Sequence, residues 1–164
     1  MSKGVMKTPI QAIAVFNDKK IKGFVRFTED LVTNLVILDI HIVGLKKNSL
    51  HGFHVHECGD LTDKCESMCA HFNPHRKKHG GQGSKERHVG DLGNLQTNEY
   101  GIAHYTTVDH LIKLRGHTAN IIGRGLIIHA DEDDCGLGQF PDSKTTGHSG
   151  KRIACAVIGY AKPL

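Results

Sequence analysis

Apolar and polar residues alternate along this chain in short bursts. In Val36-Ile37-Leu38-Asp39-Ile40-His41-Ile42, positions 36, 38, 40 and 42 are apolar while 39 and 41 are polar. A period of two marks a strand with one buried face, because successive side chains leave opposite faces of a pleated backbone. The pattern predicts strands at 10–16, 21–27, 35–43, 52–56, 103–108, 110–114, 125–129 and 153–160. Turn-forming residues separate them, at Asn17-Asp18, from Asn98 to Gly101, at Arg115-Gly116 and at Gly123. No stretch shows the 3.6-residue period of a helix. Eight short strands without helices predict an all-β fold, an antiparallel sandwich or barrel.

Two stretches break the rhythm. Residues 57–100 and 130–151 hold little alternation but many Gly, His, Asp and Cys. Loops this long inside a compact domain usually carry function. With 164 residues the chain makes one domain, 1–164, and its first nine residues precede the strand pattern as a candidate flexible extension. The low aromatic content, 5%, and the 19 glycines agree with short strands and many turns.

Charge narrows the function. The net charge is +4, with basic residues dispersed and the densest run, His75-Arg76-Lys77-Lys78-His79, short. A nucleic-acid partner would want a basic face interleaved with aromatics, and none is evident. No apolar run approaches the roughly 18 residues of a membrane span. Met1-Ser2-Lys3-Gly4-Val5-Met6-Lys7 has no apolar core of a secretory signal, so a cytoplasmic protein is expected. In a reducing compartment the five cysteines default to free thiols or metal ligands. The 13 histidines are the strongest compositional signal and ask for metal or proton-transfer chemistry.

His54 and His56 lie two apart on a predicted strand, so both imidazoles leave one face while Phe53 and Val55 enter the core. Alone, such a pair is more often two surface histidines than a metal site. The following loop adds His71, His79, His88 and Asp91, three imidazoles and a carboxylate, a complete donor set for tetrahedral zinc. Downstream, Leu126-Ile127-Ile128-His129 ends an apolar strand on one histidine. With His54, His56 and a shared His71 it would complete four imidazoles, a set that favours copper(II).

Leu50-His51-Gly52-Phe53-His54-Val55-His56-Glu57 resembles the first signature of the copper/zinc superoxide dismutases. Similar too are His71-Phe72-Asn73-Pro74, His79-Gly80-Gly81 and Arg87-His88-Val89-Gly90-Asp91-Leu92-Gly93-Asn94. The last match is Gly147-His148-Ser149-Gly150-Lys151-Arg152-Ile153-Ala154-Cys155-Ala156-Val157-Ile158-Gly159. The resemblance runs from about residue 10 to 161, with the motifs in the family's order.

The resemblance implies an eight-stranded Greek-key sandwich or barrel and an enzyme that disproportionates superoxide to O₂ and H₂O₂. It implies copper on His54, His56, His71 and His129, and zinc on His71, His79, His88 and Asp91, with His71 bridging as an imidazolate. Asp133 would be hydrogen-bonded to one ligand of each metal. Arg152 would dock the anion beside copper, Thr146 would narrow the channel and Lys144 would help steer the substrate. In the family's mechanism His71 also carries a proton. Cys65 and Cys155 match the family's disulfide, which overrides the expectation of free thiols at those positions. A homodimer is implied through Gly59, Ile122, Gly123 and Val157-Ile158-Gly159, while delivery of copper by a chaperone stays open.

The chain departs from the family in Pro141-Asp142, where an acidic pair is common, and in His148, where Asn is common. Cys58 replaces a frequent hydrophobic dimer contact, and Cys69 precedes His71 closely enough to compete for a disulfide or a metal. The alternative function is a non-enzymatic copper-binding or buffering relative, which should have lost a ligand or the arginine. A chaperone would need an added Cys-x-x-Cys domain, and a purely structural zinc sandwich would leave His54, His56 and His129 without a role.

Overall fold

The computed structural model describes residues 8–163, so residues 1–7 of the predicted extension lie outside the described residues. The strands are β1 (Ile10–Asn17), β2 (Lys22–Glu29), β3 (Val36–Val43), β4 (Leu50–His56), β5 (Asp91–Gln96), β6 (Ala103–Asp109), β7 (Gly125–His129) and β8 (Arg152–Tyr160). They pair antiparallel in the order β5-β4-β7-β8-β1-β2-β3-β6. β1 to β3 form a meander. The chain then crosses to β4 and β5, returns to β6 beside β3, and crosses again to β7, a Greek-key path. The two edge strands, β5 and β6, approach each other and leave the barrel nearly closed.

Alternation decides what fills the barrel. Ala12, Ala14 and Phe16 from β1, Val25 and Phe27 from β2, and Val36, Leu38, Ile40 and Ile42 from β3 all point inward. Phe53, Val55, Leu126, Ile128, Ala154, Ala156 and Ile158 close the core from the other side. The Val, Leu, Ile and Phe side chains among them contribute roughly 1.5–3 kcal/mol each on leaving water.

The strand pattern and the structure differ in two places. Residues 110–114 are not a strand. Ile112 and Leu114 are buried as the alternation suggested. Their backbone groups, however, are taken by side chains: Leu111 and Ile112 N–H donate to Asp109 Oδ1, and Leu114 N–H donates to Glu29 Oε2 (2.7 Å). Only an isolated bridge links Lys113 to Asn120. Alternation reported burial there, not pairing. Conversely β5 lay hidden in the stretch 57–100. Leu92 and Leu95 are three apart yet both enter the core, because Gly93 sits between them at φ +83° and breaks the two-residue period.

Two long segments cover the outer face of β4 and β7. The first, 57–90, contains a 3₁₀ turn at Glu66–Met68; the second, 130–151, contains one helical turn, α1 (Ser143–Thr146). β4 is therefore buried on both faces, with hydrocarbon inside and histidine outside. A disulfide between Cys65 and Cys155 (Cα–Cα 5.6 Å) ties the first segment to β8.

Candidate metal centre

Strand pairing brings distant histidines together. In register, His54 faces Asp91, His129 faces Arg152, and an isolated antiparallel bridge sets His56 opposite His71. Register shifts occur between Gly52 and His54 and between Ile128 and His129. Such irregularities re-aim side chains near functional sites. All six histidines named from sequence are buried, as are Asp91 and Asp133.

The donor atoms fall into two groups that share one residue. Those of His54, His56, His71 and His129 lie within 4.8 Å of one another, and so do those of His71, His79, His88 and Asp91. The first group has a pronounced hydrogen-bond asymmetry. His56 donates its Nδ1–H to the Cys69 carbonyl (2.9 Å) and His129 its Nδ1–H to the Gly150 carbonyl (3.1 Å). His54 donates Nε2–H to Asp133 Oδ2 (2.7 Å), and His71 Nδ1 meets Asp91 Oδ1 (2.9 Å). Carbonyls only accept, so the tautomers of His56 and His129 are set, and each bare nitrogen faces inward. Those inward atoms, His54 Nδ1, His56 Nε2, His71 Nε2 and His129 Nε2, are buried without a partner. A buried acceptor with no donor costs free energy, and a metal ion would relieve all four at once.

The second group sits around a carboxylate. His71 Nδ1 and His88 Nδ1 lie 3.4 Å apart, and His79 Nδ1 lies 3.0 Å from Asp91 Oδ2. His88 Nδ1 lies 3.1 Å from Asp91 Oδ1. A tetrahedron with spokes of about 2.0 Å has edges of about 3.3 Å, so the spacing suits zinc. Two backbone donors fix Asp91 Oδ2, the N–H of His88 (2.8 Å) and that of Gly80 (3.1 Å).

Electrostatics prepare both groups. Burial first, and then the neighbouring His71, drives His54 down to about 3, and burial likewise drives His129 down to about 4. Burial also holds His56 and His71 well below the usual imidazole range. Neutral rings with free lone pairs are what a metal needs, since binding competes with protons. His79 differs: burial works to lower it, but hydrogen bonds to Asp133 and Asp91 outweigh that and raise it to about 9. Burial opposes ionisation of Asp133 too, yet the bonds from His54 and His79 hold it at about 2.

Asp133 joins the groups. Its Oδ2 accepts from His54 and its Oδ1 from His79 Nε2 (2.8 Å). Asn94 clamps its backbone on both sides, accepting from Asp133 N–H (2.8 Å) and donating to its carbonyl (2.9 Å). Gly147, at φ +70°, lies against this bridge, and a Cβ there would strike Asp133 Oδ1 and His79 Nε2. Asn94, Gly147 and the carbonyls of Cys69 and Gly150 were not singled out from the sequence. Backbone carbonyls carry no sequence signal, whereas Asn94 and Gly147 stood inside the quoted motifs without a role.

The other named residues lie on α1 and at the start of β8. Arg152 donates to the carbonyls of Cys65 (2.8 Å), Glu66 (3.3 Å) and Cys69 (2.5 Å), and its charge acts on His56 and His129. Thr146 is exposed and donates to Asp142 Oδ2 (3.0 Å), which also accepts at its other oxygen from His148 (2.7 Å). Lys144 is exposed, with its ammonium on the Gly136 carbonyl. Its own carbonyl accepts from His79 N–H (2.9 Å).

The sequence matches the family described as copper/zinc superoxide dismutase (SODC) over residues 21–158. The chain belongs to that family. It is 56% identical to the Cu-Zn superoxide dismutase of Paramecium bursaria Chlorella virus 1, over 94% of this chain and 80% of that one. It is 47% identical to the Candida albicans enzyme of the same name, covering 93% and 99%, and 49% identical to an extracellular Cu-Zn superoxide dismutase of Drosophila melanogaster, covering 92% and 86%. Among solved structures, the clock protein EA4 superposes with a TM-score of 0.89 at 42% identity, over 98% of this chain and 100% of that one. Membership makes this chain an oxidoreductase acting on superoxide with copper and zinc.

Proposed function

We propose that superoxide is dismutated at the paired donor sets, with copper held by His54, His56, His71 and His129 and zinc by His71, His79, His88 and Asp91. The observation that carries this is the four buried ring nitrogens facing one another without partners. Bound copper supplies one-electron cycling, and zinc, which has no redox chemistry, supplies a fixed charge. Arg152 docks the anion: its guanidinium stays charged, and the loop carbonyls hold it beside His56 and His129. His71, anchored at Nδ1 by Asp91, offers Nε2 as the atom that takes a proton and returns it to the reduced anion. Asp133 keeps the rings of His54 and His79 in orientation. Thr146 and Lys144 act at the channel mouth, Lys144 through a long-range field that salt weakens.

Arg152→Ala is expected to keep about one copper and one zinc per chain while kcat/KM falls about 10- to 100-fold, from a charge-assisted contact of about 1.5–3 kcal/mol. Metal analysis beside steady-state rates at several ionic strengths checks this. A fully metallated wild type without activity would promote copper buffering instead.

The same reading includes a homodimer. Gly59 packs against Gly123 and Val157, and Gly123 N–H donates to the Ile158 carbonyl (2.7 Å), so the implied contact residues lie together. Sedimentation equilibrium at micromolar concentration should give twice the chain mass, and a monomer there would end the idea. Among the described residues no helix is long and apolar enough to cross a membrane. A cytoplasmic setting is favoured by the free thiols of Cys58, Cys69 and Cys135. Fractionation of expressing cells tests it, with secretion of the protein as the contrary result.

A further inference from the structure

Two free thiols lie beside each other at the edge of this site. The antiparallel bridge His56–His71 continues outward, with Glu57 N–H donating to the Ala70 carbonyl (2.9 Å) and Cys58 N–H to the Met68 carbonyl (3.2 Å). The register slips by one residue there, so Cys58 lies against the Met68–Cys69 peptide and Cys69 is the extra residue between the two hydrogen bonds. Backbones joined by such a hydrogen bond bring neighbouring Cα atoms into the range that a disulfide spans. The Cys69 side chain acts directly on the Cys58 thiol and raises it above its usual range. Cys69 is exposed and Cys58 half-buried, and both are distinct from the Cys65–Cys155 disulfide.

Cys69 is no ordinary loop residue. Its carbonyl accepts from both His56 Nδ1 and Arg152 Nη2. It holds that position at φ +63°, a left-handed conformation that strains a residue with a Cβ.

We propose that Cys58 and Cys69 form a second, peroxide-driven disulfide that locks the loop carrying the carbonyls for His56 and Arg152. The oxidant is hydrogen peroxide, the product of the family's reaction. The exposed Cys69 sulfur attacks peroxide, the O–O bond breaks, and a sulfenic acid forms with loss of one water. The Cys58 sulfur then attacks the Cys69 sulfur, the S–S bond forms, and the departing hydroxide leaves with the Cys58 proton as a second water. Two thiols lose two electrons and two protons, and one peroxide becomes two waters. The bond also removes Cys69 as a nucleophile within the loop that holds Cys65, so exchange with the Cys65–Cys155 disulfide is suppressed.

The test treats the metal-loaded protein with a few equivalents of peroxide, then counts thiols after denaturation and maps the peptides. Free thiols should fall from three to one per chain, with Cys58 joined to Cys69 and Cys65 still joined to Cys155. In Cys58→Ser, Cys69 should accumulate as a dimedone-reactive sulfenic acid, while the wild type labels weakly. Equal labelling of both, an unchanged thiol count, a disulfide between chains, or Cys69 joined to Cys65 or Cys155 would each overturn the proposal.

Discussion

His71→Ala is expected to lose both metals together. The His71 ring centroid lies 4.1 Å from that of His54, 4.9 Å from His56, 5.2 Å from His79 and 5.4 Å from His88. Deleting it removes one nitrogen from each donor set and empties the space between them. Losing a partner outside the donor set typically costs 10- to 100-fold in metal affinity, so losing a shared ligand should exceed about 100-fold for each metal. Dismutation should fall to near background. The strand signal in circular dichroism should survive, because His71 lies outside the hydrophobic cluster that fills the barrel. His88→Ala is the matched control: it removes a ligand from the zinc set alone and should leave copper bound. The bridging role would be refuted by a His71→Ala protein that keeps both metals and its activity.

The second large effect is on stability. Cys65 and Cys155 are 90 residues apart, and opening a loop of that length forfeits about 4.6 kcal/mol in the chain-entropy account. At about 2–4 °C per kcal/mol for a chain of this size, Cys155→Ser should lower Tm by about 10–18 °C. Activity should fall as well, because the disulfide anchors the loop whose carbonyls hold Arg152. Calorimetry and kcat/KM measured on one preparation separate the outcomes. An unchanged Tm would mean that the tether adds nothing to the folded state. A lowered Tm with full activity would mean that Arg152 is positioned without it.

Much of the site was legible because its chemistry resides in side-chain types. Imidazoles and one carboxylate at 54, 56, 71, 79, 88, 91 and 129 have few uses together other than metal binding, and the structure brings them all into two adjoining clusters. The barrel was legible for a similar reason, since its inner face is hydrocarbon at every second position of β1 to β3. Where a local pattern served two purposes, the sequence misled. In residues 110–114 the alternation marks the burial of Ile112 and Leu114 in the core, and the N–H groups of those two are taken by Asp109 and Glu29. β5 pairs with β4 yet lacks alternation, because Gly93 resets its phase.

The sequence by itself determined the donor inventory, the apolar inner face and the cysteines available for bonding. Tertiary structure alone decided which ring nitrogen is anchored and which is bare. That choice rests on the Cys69 and Gly150 carbonyls and on the two oxygens of Asp133. It also decided that His56 faces His71 and that Cys58 lies beside the peptide of Cys69. The physical reason is that hydrogen bonds and register are relations between segments far apart in the chain, and a donor's partner is fixed only once folding has chosen its neighbours.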